Sequence, residues 1–337
     1  MSIKFGFTTA LSVQTGIKVG GLVMMTAVAL AGCQTLPKVT NTSAIPGTLI
    51  TNPLTALMPT IDREGRLAYV EEQGVGVAKV STLYTIRPDG RDKQLIDQIK
   101  GYIYAPAWSE NGQLLAYSKQ APREHPKIYI HDRQSKANHL IVNAEGSNLS
   151  ASFSPDGQKL LYSSSVSGNA DIYEKRLSDG STQQLTTLPS TEVQPSYAAD
   201  GKSFVYVSDK VRAGRPSIYR YDFETGKASL ISSGKYAASP QLSADGQRLA
   251  FLNGRQAAVM TLATGQILNL AETGLDEPAR LSPSGQYAVY PIRALQTSLQ
   301  GSDLNGGSLV IRSLTGANSY TISSPAGAAI RSPVWGR

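Results

Sequence analysis

The chain has 337 residues, 41% of them hydrophobic and 17% charged, with 31 Gly and 18 Pro. That apolar content excludes wholesale disorder, and the Gly and Pro content favours turn-rich folds over long helices. A single cysteine excludes an intramolecular disulfide and a cysteine-based metal cluster within one chain. The length alone suggests about two domains, but all-β propellers often use such a length as one.

The first segment reads as an address. Lys4 and Lys18 precede an uncharged run from Val19 to Leu30, with no acid before it. The run is too short to span a bilayer, which needs roughly 20 apolar residues, but it suits a signal-peptide core. It ends in Leu30-Ala31-Gly32-Cys33, which resembles the bacterial lipobox. The resemblance implies cleavage before Cys33 and a diacylglycerol on its sulfur. It also implies an acylated new amine, palmitate being the typical chain. Residues 1–32 are then the signal peptide and 33–47 a lipidated, Pro-containing tether. Gln34, rather than Asp, follows the cysteine, and by resemblance to Gram-negative lipoproteins this implies the outer membrane, facing the periplasm. Removing residues 1–32 removes two of the 32 basic residues and none of the 25 acids, leaving +5. So mild a bias, together with export, excludes nucleic acid as the expected partner.

From residue 48 onward self-similarity dominates. A turn glycine recurs at Gly65, Gly112, Gly157, Gly201, Gly246 and Gly285, in steps of 47, 45, 44, 45 and 39. Pro106-Ala-Trp108-Ser-Glu-Asn111-Gly112 precedes Leu114-Leu-Ala-Tyr117, and Phe153-Ser-Pro-Asp156-Gly157 precedes Leu160-Leu-Tyr162. Tyr197-Ala-Ala-Asp200-Gly201 and Leu242-Ser-Ala-Asp245-Gly246 repeat the pattern. Leu281-Ser-Pro-Ser284-Gly285 is weaker, and Pro59-Thr-Ile61-Asp-Arg-Glu64-Gly65 is the weakest. Asp-Gly between apolar runs is a strong hairpin signal, because both residues tolerate positive φ. Each unit continues with a third strand (Ile128-Tyr129-Ile130, Ile172-Tyr173, Ile218-Tyr219), a polar turn and a fourth strand (Leu140, Leu185, Leu230). Four short antiparallel strands at this period predict a blade, and blades must stack around an axis to bury their faces. The predicted fold is all-β: a six-bladed β-propeller of four-stranded antiparallel blades over residues 48–337.

Closure has two candidate pieces. Leu49-Ile50-Thr51 sits where an outer strand precedes the Pro59 inner strand, and Ser332-Pro333-Val-Trp335 copies the start of an inner strand. They are expected to fasten the ring, a rudimentary seventh blade being the alternative.

No catalytic or metal template is expected, and no cofactor. His125, His131 and His139 fall on a loop, a strand end and an outer strand, and their spacing matches no site template. There is no Gly-x-Ser-x-Gly elbow and no Gly-x-x-x-x-Gly-Lys loop. Asp156, Asp200 and Asp245 read as turn formers rather than calcium ligands. The recurring tyrosines read as core and interblade packing. Binding is expected on the face built by the second-to-third and fourth-to-first connections, which vary in length and charge. Its basic members are Arg123, His125 and Lys127, then Lys210, Arg212 and Arg215, then Arg293 in the longest loop, 291–307.

Ser165-Val-Ser-Gly168-Asn169-Ala-Asp171-Ile172-Tyr173 and Gly214-Arg215-Pro216-Ser-Ile218-Tyr219, with the Ser-Pro-Asp-Gly turn, resemble the TolB-type propeller repeat. That family carries an α/β domain before its propeller, which this sequence lacks between Cys33 and the first strand. The resemblance implies a non-enzymatic, protein-binding scaffold in envelope integrity or Tol-Pal-like transport. Its partner would be a periplasmic protein or peptide, a peptidoglycan-associated lipoprotein among them. The alternatives are an enzyme or glycan-binding propeller acting on an anionic polysaccharide, and an accessory subunit of a larger assembly. The enzyme reading needs converging charged groups on the inner strands, which the sequence does not suggest.

Overall fold

The computed structural model describes Ile61 and residues 65–232, 236–273, 277–293, 306–316, 318–325 and 327–337. Cys33, the tether and Leu49–Thr51 lie outside these residues. The first blade takes β1 (Arg66–Gln73), β2 (Val80–Ile86) and β3 (Gln94–Lys100). The second is β4 (Tyr102–Trp108), β5 (Leu114–Gln120), β6 (Lys127–Asp132) and β7 (Asn138–Val142). The third is β8 (Asn148–Phe153), β9 (Lys159–Ser164), β10 (Asp171–Arg176) and β11 (Thr182–Gln184). The fourth is β12 (Glu192–Tyr197), β13 (Ser203–Ser208), β14 (Ser217–Asp222) and β15 (Ala228–Ser232). The fifth is β16 (Ala237–Leu242), β17 (Arg248–Asn253), β18 (Gln256–Thr261) and β19 (Ile267–Glu272). The sixth is β20 (Arg280–Leu281), β21 (Tyr287–Ile292), β22 (Ser308–Ser313) and β23 (Ser319–Ser323), after which comes β24 (Ala329–Gly336). All six sheets are four-stranded and antiparallel, the expected all-β six-bladed propeller.

The first blade corrects the sequence reading. Its innermost strand is β24, paired with β1, where the sequence pattern suggested the Pro59-Thr-Ile61 segment, of which only Ile61 is among the described residues. Ser332-Pro333-Val-Trp335 is thus an inner strand, as its pattern suggested, and the last strand of the chain completes the first blade. Trp335 is 4% exposed and packs its ring 6.3 Å from Tyr287 of the sixth blade. Ile61 is buried in the same cluster.

Six hydrophobic clusters hold the ring, each drawn from two neighbouring blades. Strand periodicity explains this. Along β13, Phe204 and Tyr206 face the third blade while Val205 and Val207 face the fifth. Successive side chains point to opposite faces, so a strand apolar at every position serves two interfaces.

The Asp-Gly turns also differ from expectation. Gly157 has φ +70, but Asp156 is not among the positive-φ residues. Gly157 N donates to Ser154 O at 2.8 Å, and the Asp156 carboxylate accepts from Gln158 N at 3.0 Å. This is a type I turn followed by a left-handed glycine, with Asp as an acceptor rather than a second left-handed residue. Ser154 Oγ then accepts from Lys159 N at 2.9 Å, as Ser109 and Ser243 do for Leu114 and Arg248.

A second recurring device lies on the inner strands. Ala105, Ser150, Gln194, Ser239 and Ser332 all have positive φ, at the same bulged position of five inner strands. The sixth blade has Pro278 there by alignment of Leu281 with Leu242. Proline locks φ near −65° and cannot make this bulge, and β20 pairs over only two residues.

Candidate functional site

Antiparallel order puts the second-to-third and fourth-to-first connections at one end of the ring and the tight turns at the other. The first group carries the predicted basic residues, and the structure distributes them over alternate blades. Arg123 and His125 are exposed on the second-blade loop, Arg123 with φ +67. Lys127 opens β6, half-buried, with its Nζ 2.8 Å from Glu124 Oε2, so an acid neutralises it locally. Lys210, Arg212 and Arg215 are exposed on the fourth-blade loop, where Lys210 Nζ lies 3.9 Å from the centre of the Tyr219 ring. Arg293 is exposed at the end of β21, and residues 294–305 beyond it lie outside the described residues. The structure therefore brings together two triplets, one on the second blade and one on the fourth, and not all seven.

Two loops on this face also present apolar tips. Val75 and Val77 of the first blade, at a 3-10 turn over Gly76–Ala78, are 84% and 85% exposed, and Val211 of the fourth is 79% exposed. Asp209 organises that loop, accepting from Gly214 N and from Thr191 N of the preceding connection, both at 3.0 Å.

The sequence reading missed a charged cluster at the axis. Glu72 at the end of β1 pairs with Lys79 at 3.0 Å and with Arg331 of β24 at 3.4 Å. Arg331 also reaches Glu277 at 3.7 Å, and Glu277 Oε2 accepts from Ser332 N at 3.0 Å. Burial pushes the Glu277 carboxyl up, opposed by Arg331 and the Ser332 N–H. Arg280 of β20 donates to Ser239 O of the fifth blade at 2.7 Å, and burial pushes its guanidinium down to about 10. Lys79 also lies 4.7 Å over the Tyr102 ring. Two arginines and two glutamates thus come together: Glu72 from β1, Glu277 from the connection before β20, Arg280 from β20 and Arg331 from β24, while the inner strands β4, β8 and β16 carry no charged residue. The only sequence signal was Glu277-Pro278, where the inner-strand pattern breaks.

The histidines are placed apart from these groups. His131 is buried on β6 with Nδ1 2.8 Å from Asn138 Oδ1, and burial pushes its imidazole down. His125 and His139 are exposed. Among the described residues no group of three or more His, Cys, Asp or Glu converges on one point. The tyrosines act as interblade ties: Tyr117 Oη donates to Asp97 of the first blade at 2.6 Å, and Tyr197 Oη to Glu174 of the third.

Residues 63–337 match the family model described as the TolB β-propeller domain. The chain belongs to the TolB β-propeller domain family. Its curated relatives include the Tol-Pal system protein TolB of Francisella tularensis subsp. mediasiatica. That protein is 29% identical over 287 residues, which cover 80% of this chain and 63% of that protein. TolB of strain SCHU S4 is also 29% identical, with 62% of its length covered. The chain thus spans less than two thirds of the curated TolB proteins it matches. Among solved structures, TolB from Acinetobacter baumannii superposes with a TM-score of 0.70 at 32% identity, covering 84% of this chain and 69% of that one. A putative TolB from Agrobacterium tumefaciens, at 19% identity and a TM-score of 0.56, shares the fold, with 79% of this chain and 98% of that one covered.

Proposed function

We propose that the protein is an outer-membrane lipoprotein, facing the periplasm, whose TolB-type propeller is a non-enzymatic scaffold that binds an envelope protein in a Tol-Pal-like process. The observation that carries the reading is family membership across the whole ring, together with relatives named as Tol-Pal system proteins. Residues 1–32 act as the signal peptide, 33–47 as the tether and 48–337 as the binding domain, held to the membrane by lipid on Cys33. Multiple acyl chains exceed the two signals that stable anchoring takes. A peptidoglycan-associated lipoprotein is the proposed partner class, in keeping with the Tol-Pal system named for the relatives. Arg212 and Arg215, beside the exposed Val211, contribute the basic part of the docking face, with Lys210, Arg123, His125, Lys127 and Arg293 around it.

Affinity purification from detergent-solubilised envelopes tests this. A stable envelope protein should co-purify with the wild type and be lost with Arg212→Ala and Arg215→Ala combined. Recovery of no protein partner would overturn the scaffold reading. Cys33→Ser should move the protein into the soluble fraction, and continued tight membrane association would overturn the anchor.

The axial cluster of Glu72, Glu277, Arg280 and Arg331 favours a second reading. There the channel holds an anionic polysaccharide or another charged ligand, with or without turnover. Binding or cleavage of such a polymer by the pure protein, lost on Arg331→Gln, would establish it.

A further inference from the structure

Under the variable-loop face, between the third and fourth blades, two carboxyl groups are buried without a cation. Asp171 opens β10 and Glu192 opens β12, at 1% and 0% exposure. The backbone sets them side by side: Glu192 N donates to Ala170 O at 2.8 Å. Asp171 accepts from Ser167 Oγ at 2.9 Å, Gln184 Nε2 at 3.1 Å and Thr186 Oγ1 at 3.1 Å. Glu192 Oε1 accepts from Ser190 Oγ at 2.5 Å and Ser208 Oγ at 2.8 Å. Glu192 Oε2 is buried with no hydrogen-bond partner. Neither carboxyl forms an ion pair with a described residue.

The preceding repeat shows what that oxygen lacks. Asn148 holds the place of Glu192 in the third blade, each five residues before the aromatic that ends its inner strand, Phe153 or Tyr197. Both accept a serine hydroxyl from the second strand at 2.8 Å, from Ser164 and Ser208. Both backbone N–H groups donate to the residue before the third strand, Pro126 or Ala170. At Asn148 the remaining side-chain atom is an amide nitrogen, and it donates to Ala144 O at 2.8 Å. Glu192 has an oxygen instead, and a carboxyl oxygen donates only when it carries a proton. Two ionised carboxylates so close in a dry site repel strongly, so one keeps its proton. Asp171, with three donors already on it, is the better carboxylate.

We propose that Glu192 is held as the neutral acid, its Oε2–H donating to the Asp171 carboxylate, and that this shared proton fastens the third and fourth blades beneath loops 165–170, 185–191 and 209–216. Burial is the largest influence on Glu192 and pushes its carboxyl up; the Ser190 and Ser208 hydroxyls pull it down, and Asp171 raises it again. The other titratable or charged groups nearby are Tyr206 of β13, whose phenol is also pushed up, and Asp209, which holds Thr191 N. Lys210 is engaged with the Tyr219 ring. Asn169 ties the loops above the pair, its Nδ2 donating to Leu188 O and Ser190 O, both at 2.7 Å. The shared proton belongs to the fold and is independent of what the face binds.

A raised folded value means that the unfolded chain releases this proton first. Stability should therefore fall as pH rises above the unfolded glutamate value, about 4.3, and level off above the folded value. Thermal unfolding of the intact chain and of Glu192→Gln, from about pH 5 to about pH 9 in EDTA, tests this. Gln keeps a donor at the same point. The two midpoints should lie close at the acid end and separate as pH rises, with Glu192→Gln the more stable at the alkaline end. Parallel curves would overturn the proposal. So would a variant less stable throughout with a wild type stabilised by added calcium, since that is an ionised pair around a cation. Should the variant fail to fold, carboxyl-carbon NMR of the wild type decides. The Glu192 resonance should titrate above free glutamate, and titration at the ordinary value would overturn the shared proton.

Discussion

The fifth and sixth blades are built from the same repeat and differ where the axis is lined. In the fifth, Ser239 takes φ +53, its N–H donates to Gln194 Oε1 at 2.8 Å, and β16 spans Ala237–Leu242. In the sixth, proline occupies that position and β20 is reduced to Arg280–Leu281. There Glu277 takes for Ser332 N the part that Gln194 takes for Ser239 N, and Arg280 donates to Ser239 O. The proline coincides with a charged inner strand where the fifth blade has a neutral one. It does so beside the strand that closes the ring, where the last and first segments of the propeller meet.

The largest effect is expected at the closure. Trp335→Ala removes the ring packed on Tyr287 and should cost about 3–5 kcal/mol, measured by denaturant unfolding. The equivalent truncation in the fifth blade, Leu242→Ala, should cost less, about 2–3 kcal/mol, because Leu242 is smaller and 8% exposed. Next comes the bulge itself. Ser239→Pro puts the sixth-blade residue into the fifth blade. It should cost about 1 kcal/mol or more for the backbone conflict, plus roughly 1–3 kcal/mol for the broken bond to Gln194. Pro278→Ser, the reverse exchange, should change stability by under about 1 kcal/mol; equal effects for the two would show that proline does not set the difference.

Glu277→Gln takes one carboxylate from Arg331, which keeps Glu72 and is 32% exposed, so a loss of about 1–2 kcal/mol is expected. Urea midpoints at low and high salt measure it. The smallest difference lies in the tight turns, where the fifth blade uses Asp245 and the sixth Ser284. The Ser243 hydroxyl and the Gln247 N–H hold the Asp245 carboxyl below its usual range. Its contribution is therefore present above the unfolded value of about 3.9 and is lost as pH falls through the folded one. Asp245→Ser should flatten that part of the acid-stability profile by a few tenths of a kcal/mol.

Much of the fold was legible because its signals are local. The glycine at each tight turn and the apolar second strands act within a few residues. The positions of Arg123, Lys210, Arg212 and Arg215 on one face followed from strand order alone. The axial cluster was not legible, because Glu72 and Arg331 lie at opposite ends of the propeller sequence. Nor was the Asp171–Glu192 contact, since a carboxylate that opens a strand looks alike in sequence whether it meets water or another acid.

The amino-acid order determined the repeat, the positions of the turns and the number of blades, since each rests on short-range backbone preferences and strand periodicity. Only the closed ring decided that Ala329–Gly336 supplies the first blade's inner strand, and which charged groups meet at the axis. Those contacts exist because closure brings together segments that local preferences cannot relate.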